Sequence, residues 1–210
     1  MNTGVSCCFC DGLVRGASQA PWDALLYDSG HFIVTPSRGS LVPGWVLVVA
    51  KRHTLCSGAI TSSELTELLD CVAVARDLVR KNFGEPTLFE HGPSRSGLAL
   101  GCGIDHLHLH VVPLSFSLTR ATTTRFPEVK WKEISDLFGT SSLFASNVSY
   151  GLVHEPGSNM FWCRPPKHVR QFFRKVIATE LGIPEQFDYT QFPQLPNVLR
   201  TLEALPQRSL

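Results

Sequence analysis

The residues of this chain best suited to chemistry lie at positions 106–110, which read His-Leu-His-Leu-His. Strict alternation in an apolar run is typical of a half-buried strand. Successive side chains on a strand point to opposite faces, so Leu107 and Leu109 face a core while His106, His108 and His110 form a row about 7 Å apart. Imidazole titrates near neutrality and can act as nucleophile, acid or base. The row predicts a catalytic strand, with metal chelation by a His-x-His pair as the alternative.

A glycine-rich loop leads into this strand. Gly101, Cys102 and Gly103 directly precede the start of the run, within a Gly/Ser segment at 92–103. Glycine lets backbone N–H groups approach a ligand closely. We therefore expect this loop to contact the substrate.

The elements that must hold the histidine strand follow an α+β order. Thr61 and Glu64 form a capping-box pattern at the start of a long amphipathic helix that Gly84 ends. Strands are predicted at 22–27, 32–35, 45–50, 87–90 and 105–112. The sequence thus predicts an antiparallel meander interrupted by one long helix.

The remaining residues, 115–210, are predicted to form an α/β extension packed on a first domain at 1–114. Short elements are expected as a helix at 129–138, a hairpin of 148–154 with 160–163, and a helix from Pro165 to about Leu181. The last helix carries Arg170 and Arg174. Its basic groups are either a solvated face or a clamp for a distal phosphate, which guanidinium binds in bidentate fashion.

Composition excludes several classes of protein. The 210 residues are 43% hydrophobic with a formal net charge of +1, so nothing in the overall charge favours nucleic acid or an anionic membrane. No apolar run approaches the roughly 20 residues of a membrane-spanning helix. The seven cysteines do not suggest a disulfide framework, and the first residues carry no signal-peptide pattern. We expect a reduced, cytoplasmic protein.

Two of the cysteines, Cys7 and Cys10, form a Cys-x-x-Cys pair. Such a pair can be a redox motif, half of a zinc site or a pair of idle thiols. No helix pattern follows it, which argues against the redox interpretation. The residues alone leave the other two open.

The His-Leu-His-Leu-His motif at 106–110, together with the Val111 and Val112 that follow it, resembles the signature of the histidine triad superfamily of nucleotide hydrolases and transferases. Residues 31–36, 42–49 and 51–53 are similar to the strand, turn and strand before the triad in that family, so the resemblance covers about 7–114. It implies that His108 attacks the α-phosphorus of a nucleotide conjugate and that His110 hydrogen-bonds the phosphate oxygens. Histidine rather than glutamine at position 110 matches the hydrolase-type pattern.

The resemblance also implies a structural zinc site. Zinc-bearing members pair an N-terminal Cys-x-x-Cys with a histidine after the third strand and with the first triad histidine. Those ligands here are Cys7, Cys10, His53 and His106. Two thiolates and two imidazoles make a closed tetrahedral site.

The chain departs from the family at several substrate-contacting positions. Cys102 and Gly103 stand where many members have Gln-Ser or Gln-Thr, so the leaving-group donor would come from Ser96, its neighbour Ser94 or the extension. Glu90 and His91 replace a usual asparagine, either as substrate contacts or as strand caps.

The sequence thus predicts a nucleotide hydrolase or nucleotidyltransferase that works through a covalent nucleotidyl-His108 intermediate. The alternatives are a phosphorylase, in which inorganic phosphate resolves that intermediate, and a nucleotide-binding protein without turnover. A role on nucleic-acid ends is less favoured, because the extension lacks a two-Cys, two-His finger and the chain is not basic. A homodimer is compatible with the resemblance.

Overall fold

The computed structural model describes residues 7–14, 20–98, 103–166 and 169–205. The strands are β1 (Tyr27–Asp28), β2 (Phe32–Pro36), β3 (Val46–Ala50), β4 (Thr87–Gly92), β5 (His108–Val112), β6 (Lys132–Ile134), β7 (Tyr150–His154) and β8 (Met160–Cys163). The α-helices are α1 (Ser62–Phe83), α2 (Leu118–Arg125), α3 (Thr140–Ala145), α4 (Phe172–Glu180) and α5 (Leu195–Ala204). The predicted α+β class is confirmed.

All eight strands join one antiparallel sheet in the order β1-β2-β3-β5-β4-β7-β8-β6. The histidine strand β5 lies near its centre, between β3 and β4. Its register places His110 opposite Leu47 on one side and opposite Phe89 on the other. Pairing of β4 with β7 carries the sheet across the division proposed at residue 114, so the extension continues the sheet.

The two faces of the sheet bury different side chains. Leu107, Leu109 and Val111 pack with the apolar side of α1 in one cluster. The opposite face holds a second cluster that includes residues of α2 and α4 from the extension. The predicted alternation along β5 is therefore confirmed, but its histidine side is covered as well.

Helix α1 begins as its sequence predicts. The Thr61 side chain accepts a hydrogen bond from the Glu64 backbone N–H, and the Glu64 carboxylate accepts one from the Thr61 N–H at 2.9 Å. This reciprocal pairing satisfies two of the N–H groups that a helix start leaves without partners. Gly84 follows the last turn with a φ of +99°, which glycine adopts readily.

Two predicted elements are wrong, and a third begins later than predicted. Of residues 22–27, only Tyr27 lies in a strand: a 3-10 helix, Pro21–Asp23, precedes the two-residue β1. Residues 129–138 form no helix, because Lys132–Ile134 pairs with β8 and a 3-10 turn follows. The helix expected from Pro165 begins only at Phe172, after Gln171 turns the chain in a left-handed conformation with a φ of +52°.

The sequence pattern also missed α2, α3 and α5. In the described ranges, no helix is both long and apolar enough to cross a membrane.

Candidate active site and metal site

The three histidines of the motif lie together on the face of the sheet that the extension covers. Each is at least 95% buried. The rings of His108 and His110 are 4.9 Å apart between centroids and nearly perpendicular. Because burial disfavours the charged form, it lowers the pKa of all three imidazoles, that of His106 to about 4. The row is therefore neutral at physiological pH.

His106 faces the N-terminal segment rather than the rest of the row. Its Nε2–H donates to the Ala50 carbonyl at 2.6 Å, so the Nδ1 lone pair points away from the strand. Nδ1 lies 3.3 Å from Cys7 Sγ, 3.6 Å from Cys10 Sγ and 3.3 Å from His53 Nδ1. Cys10 Sγ is also 3.4 Å from His53 Nδ1. These four residues form a group that could hold a metal ion.

His108 is held in one tautomer by its own strand. Its Nδ1 lies 2.7 Å from the His106 carbonyl oxygen, which can only accept a hydrogen bond. The ring proton is therefore on Nδ1, and Nε2 carries a lone pair. An imidazole that attacks phosphorus needs this arrangement, because the attacking nitrogen must carry a lone pair.

His110 is held by aromatic neighbours. Its ring stacks on Phe89 at 4.3 Å with an interplanar angle of 13°. The Trp45 indole N–H donates to His110 Nδ1 at 3.0 Å. Both contacts come from strands or strand ends that pair with β5, so the sheet itself fixes this ring.

A cavity of about 380 Å³ opens in front of His108 and His110. Phe9 from the N-terminal segment lies against the His108 ring at 5.2 Å, and Arg38 stacks over Trp22 at 5.0 Å from the ring centroid. Segments near both ends of the described chain also line the cavity. Besides the two histidines, the lining residues are Cys8, Phe9, Gly12, Trp22, Asp23, Pro36, Ser37, Arg38, Leu47, Ile104, Arg174, Tyr189 and Thr190. The cavity thus combines aromatic surfaces, a cation and two neutral imidazoles.

Of the two arginines predicted to bind phosphate, the structure brings one to the cavity. Arg174 is 1% exposed, donates from Nε to the Phe187 carbonyl at 2.8 Å and from Nη2 to the Gly39 carbonyl at 2.5 Å, and lines the cavity. Arg170 is exposed and does not line it.

Glu90 and His91 are neighbours in sequence that lie on opposite faces of β4. Glu90 belongs to the α1 side, where its carboxylate accepts hydrogen bonds from the Ser57 N–H at 2.7 Å and from the Ser57 and Tyr150 hydroxyls. The structure does not bring Glu90 to the histidine row. Desolvation on complete burial raises the pKa of this carboxyl.

His91 lies on the same face as the triad, beneath the start of α4. Its ring is 6.4 Å from His110 and 4.8 Å from Phe173, and its Nε2 accepts a weak hydrogen bond from the Phe173 N–H at 3.5 Å. Burial lowers the pKa of His91 to about 3, with the neighbouring His108 and Arg174 acting in the same direction. His91 is thus a neutral imidazole beside the row.

The loop before β5 is described only in part. Gly101 and Cys102 lie outside the described residues, so their predicted contacts stay predictions. Gly103 has a φ of +77°, a conformation that favours glycine, and Ile104 beyond it reaches the cavity. Ser96 is exposed and is not part of the cavity wall.

Sequence reasoning missed Trp45, Trp22 and Tyr189 as cavity or triad contacts. Trp45 begins the predicted strand at 45–50, two residues before Leu47, so the two side chains point to the same face of the strand. Leu47 lies opposite His110 in the pairing of β3 with β5, and this register places Trp45 on the histidine face. The sequence does not contain that register. Tyr189 lies about 80 residues after β5, and no local pattern relates it to the site.

Comparison with known proteins finds similarity among solved structures only. No family model matches the chain, and no curated protein matches it. A hypothetical histidine triad nucleotide-binding protein from Sulfolobus tokodaii is 24% identical, with 51% of this chain and 68% of that chain covered and a TM-score of 0.41. A HIT family hydrolase from Clostridium thermocellum is 21% identical over 56% and 96% of the two chains, with a TM-score of 0.42. A HIT family protein from Bacillus anthracis is 18% identical over 70% and 99%, with a TM-score of 0.44.

By their names, these three solved structures are proteins of the histidine triad, or HIT, family.

Proposed function

We propose that this chain is a histidine triad enzyme that cleaves a nucleotide conjugate at its α-phosphate through a covalent nucleotidyl-His108 intermediate. The observation that carries the proposal is the hydrogen bond from His108 Nδ1–H to the His106 carbonyl at 2.7 Å. It leaves the Nε2 lone pair of a neutral imidazole beside a cavity, which is what nucleophilic catalysis by histidine needs.

The proposed reaction has two displacements. In the first, the His108 Nε2 lone pair forms a P–N bond while the bond from phosphorus to the leaving group breaks, and the electron pair departs with the leaving group. The ring becomes cationic, and its Nδ1–H donates more strongly to the His106 carbonyl. In the second, water forms the new P–O bond and releases a proton to solvent, and the P–N electron pair returns to Nε2.

The cavity wall supports a nucleotide as the substrate. Phe9 and Trp22 offer flat surfaces for a base, and Arg38 adds a cation at the Trp22 face. Arg174 lines the cavity and supplies a fixed positive charge near His110, where phosphate oxygens would lie. A nucleoside monophosphate group therefore finds complementary surfaces at both of its ends.

We further propose that the group of Cys7, Cys10, His53 and His106 holds a structural zinc ion. Tetrahedral zinc with bonds of about 2.3 Å to sulfur and about 2.0–2.1 Å to nitrogen requires S···N separations of about 3.6 Å and N···N separations of about 3.3–3.4 Å. The observed separations are 3.3–3.6 Å and 3.3 Å. The Ala50 carbonyl that accepts from His106 Nε2–H is the second contact that orients a metal-bound imidazole.

The zinc ion would tie the N-terminal segment to His106, two residues before β5 begins. Phe9 lies between Cys7 and Cys10 and contacts both His106 and His108. The four protein ligands would fill a tetrahedron, so the ion would position these parts and take no part in the displacement.

The test is intact-protein mass spectrometry after brief exposure to nucleoside phosphoramidates, dinucleoside polyphosphates and nucleotide sugars, handled at neutral pH. The wild type should gain the mass of one nucleoside monophosphate. His108→Ala should gain none, and the exposed-histidine control His31→Ala should behave as wild type. Substrate turnover without an adduct on wild type, or an adduct that persists in His108→Ala, would refute the covalent mechanism.

A further inference from the structure

We propose that Trp45 is a positioning residue that fixes His110 as an Nε2–H donor to the phosphate oxygens of the substrate. This inference rests on the proposed function, because it concerns how the third histidine of the same site meets phosphate. It assigns a chemical task to a side chain that lies deep in the sheet.

The direction of the hydrogen bond between the two rings is unambiguous. The indole nitrogen can only donate, so His110 Nδ1 must accept at the observed distance of 3.0 Å. A neutral imidazole has one ring proton, and that proton must then be on Nε2. His110 is neutral because complete burial lowers its pKa well below the ordinary value, with His108, His91 and Arg174 as the nearby groups that act in the same direction.

The geometry leaves His110 little freedom to exchange tautomers. Trp45 is fully buried and its ring meets the His110 ring edge-on, with centroids 5.7 Å apart. Phe89 packs flat on His110 and edge-on against Trp45. A flip of the imidazole would break the indole hydrogen bond and leave a buried N–H without its acceptor, which is costly.

Arg174 connects this arrangement to the extension. Its guanidinium carbon is 5.0 Å from the centroid of the Trp45 ring, in cation–π contact. A cation over an indole makes the indole N–H more positive and a better donor. The carbonyls of Gly39 and Phe187 hold the guanidinium there, so the extension strengthens the bond that orients His110.

In catalysis, His108 and His110 would therefore have different roles, although their side chains are identical. His108 donates from Nδ1 and presents a lone pair, whereas His110 accepts at Nδ1 and carries its proton on Nε2. Without the indole N–H, His110 could populate the other tautomer, whose Nε2 lone pair would repel a phosphate oxygen. Loss of one preorganised donor to a developing oxyanion lowers rates by about 10²–10³ where it has been measured.

The test removes the N–H while keeping the shape. Trp45→Phe is the simple variant, and site-specific incorporation of benzothienylalanine at position 45 replaces the N–H by sulfur in a ring of nearly the same size. Trp131→Phe, which lacks contact with the triad, is the matched control. Nitrogen-15 NMR of the histidine rings reports the His110 tautomer, and single-turnover adduct formation on His108 reports the chemical step.

We expect the Nε2–H tautomer in wild type and a mixture in both position-45 variants, with adduct formation slowed about 10- to 100-fold and KM changed less than about threefold. The pure Nε2–H tautomer and a wild-type rate in the benzothienylalanine protein would overturn the proposal, whatever Trp45→Phe does to stability. If wild type forms no adduct, the proposed function fails, and the NMR comparison still decides whether Trp45 sets the tautomer.

Discussion

Glu90 provides the sharpest test of the structure, because sequence reasoning placed it at the substrate and the fold places it on the opposite face of β4. Its carboxylate accepts hydrogen bonds from the Ser57 N–H at 2.7 Å, the Ser57 hydroxyl at 2.5 Å and the Tyr150 hydroxyl at 3.1 Å. In Glu90→Gln, the side-chain amide oxygen can still accept the hydrogen bond from the Ser57 N–H. The new amide would donate to the two hydroxyl oxygens in place of the carboxylate.

Those hydroxyls have other acceptors within reach. Ser57 Oγ lies 3.1 Å from Thr140 Oγ1 and 2.9 Å from the Tyr150 hydroxyl, and Thr140 donates onward to the Leu137 carbonyl. The network can therefore reverse its donors and remain satisfied. Glu90→Ala has no such option: it leaves the Ser57 N–H without its acceptor and opens a cavity. We expect it to cost about 3–5 kcal/mol of unfolding free energy.

The difference in unfolding free energy between Glu90→Gln and wild type should change with pH in one direction. The folded-state pKa of Glu90 is raised by burial, whereas the unfolded chain has the ordinary value of about 4.3. Below that value both states are protonated, so the contribution of the hydrogen-bonded carboxyl to stability is fully present and does not change with pH. As the pH rises through the interval up to the folded-state pKa, wild type loses stability at up to about 1.4 kcal/mol per pH unit, and glutamine does not titrate.

Glu90→Gln should accordingly match wild type near pH 4 and exceed it in unfolding free energy by an amount that grows as the pH rises. Urea unfolding of wild type and both variants across this pH range measures the difference. A gap that narrows as pH rises would refute the reasoning about burial. A tenfold loss of kcat/KM in a fully folded Glu90→Gln would restore Glu90 to the substrate site.

Three further outcomes follow from the described contacts. Cys10→Ser should abolish bound zinc and lower the melting temperature by several degrees; one zinc per chain in the variant, by elemental analysis, would contradict the ligand set. Gly39→Ala places a Cβ 2.5 Å from the Tyr189 Cβ at a φ of +75°, and it should lower the unfolding free energy by about 2–4 kcal/mol in urea. The control Gly157→Ala adds its Cβ in open space and should lower it by about 1 kcal/mol. Equal losses of unfolding free energy in the two variants would exclude the collision with Tyr189. Arg170→Ala should leave KM unchanged, and a tenfold increase would place Arg170 on the substrate.

The histidine strand was predictable because its signal is local. The alternation at 106–110 defines two faces without knowledge of any other element, and the capping box of Thr61 and Glu64 is a contact between residues three apart. The Cys-x-x-Cys pair was visible for the same reason. Its meeting with His53 and His106 required the family resemblance, since no spacing rule relates position 10 to position 106.

The errors concern residues whose neighbours are distant in sequence. Lys132–Ile134 became a strand because β8 offered it an edge, which outweighs a short helical pattern. Glu90 and His91 could not be assigned to faces until β4 was paired with β5, because a shift of one residue in register exchanges the faces. Arg174 lines the cavity from α4, and no local pattern predicted that this helix begins only at Phe172.

The triad shows how a repeated residue acquires three different tasks from its surroundings. Each imidazole is buried and neutral, so the position of one proton is the variable that remains. The Ala50 carbonyl draws that proton to Nε2 of His106 and turns Nδ1 toward the thiols; the His106 carbonyl draws it to Nδ1 of His108 and leaves a nucleophilic Nε2. The Trp45 indole fills Nδ1 of His110 and sends the proton to Nε2. Under the proposed function, two backbone carbonyls and one indole would give three copies of one side chain three roles: a metal ligand, a nucleophile and a hydrogen-bond donor. The strand motif is the part that sequence reveals. The partners that differentiate its members are Ala50 at the end of β3, Trp45 just before β3, and His106 just before β5.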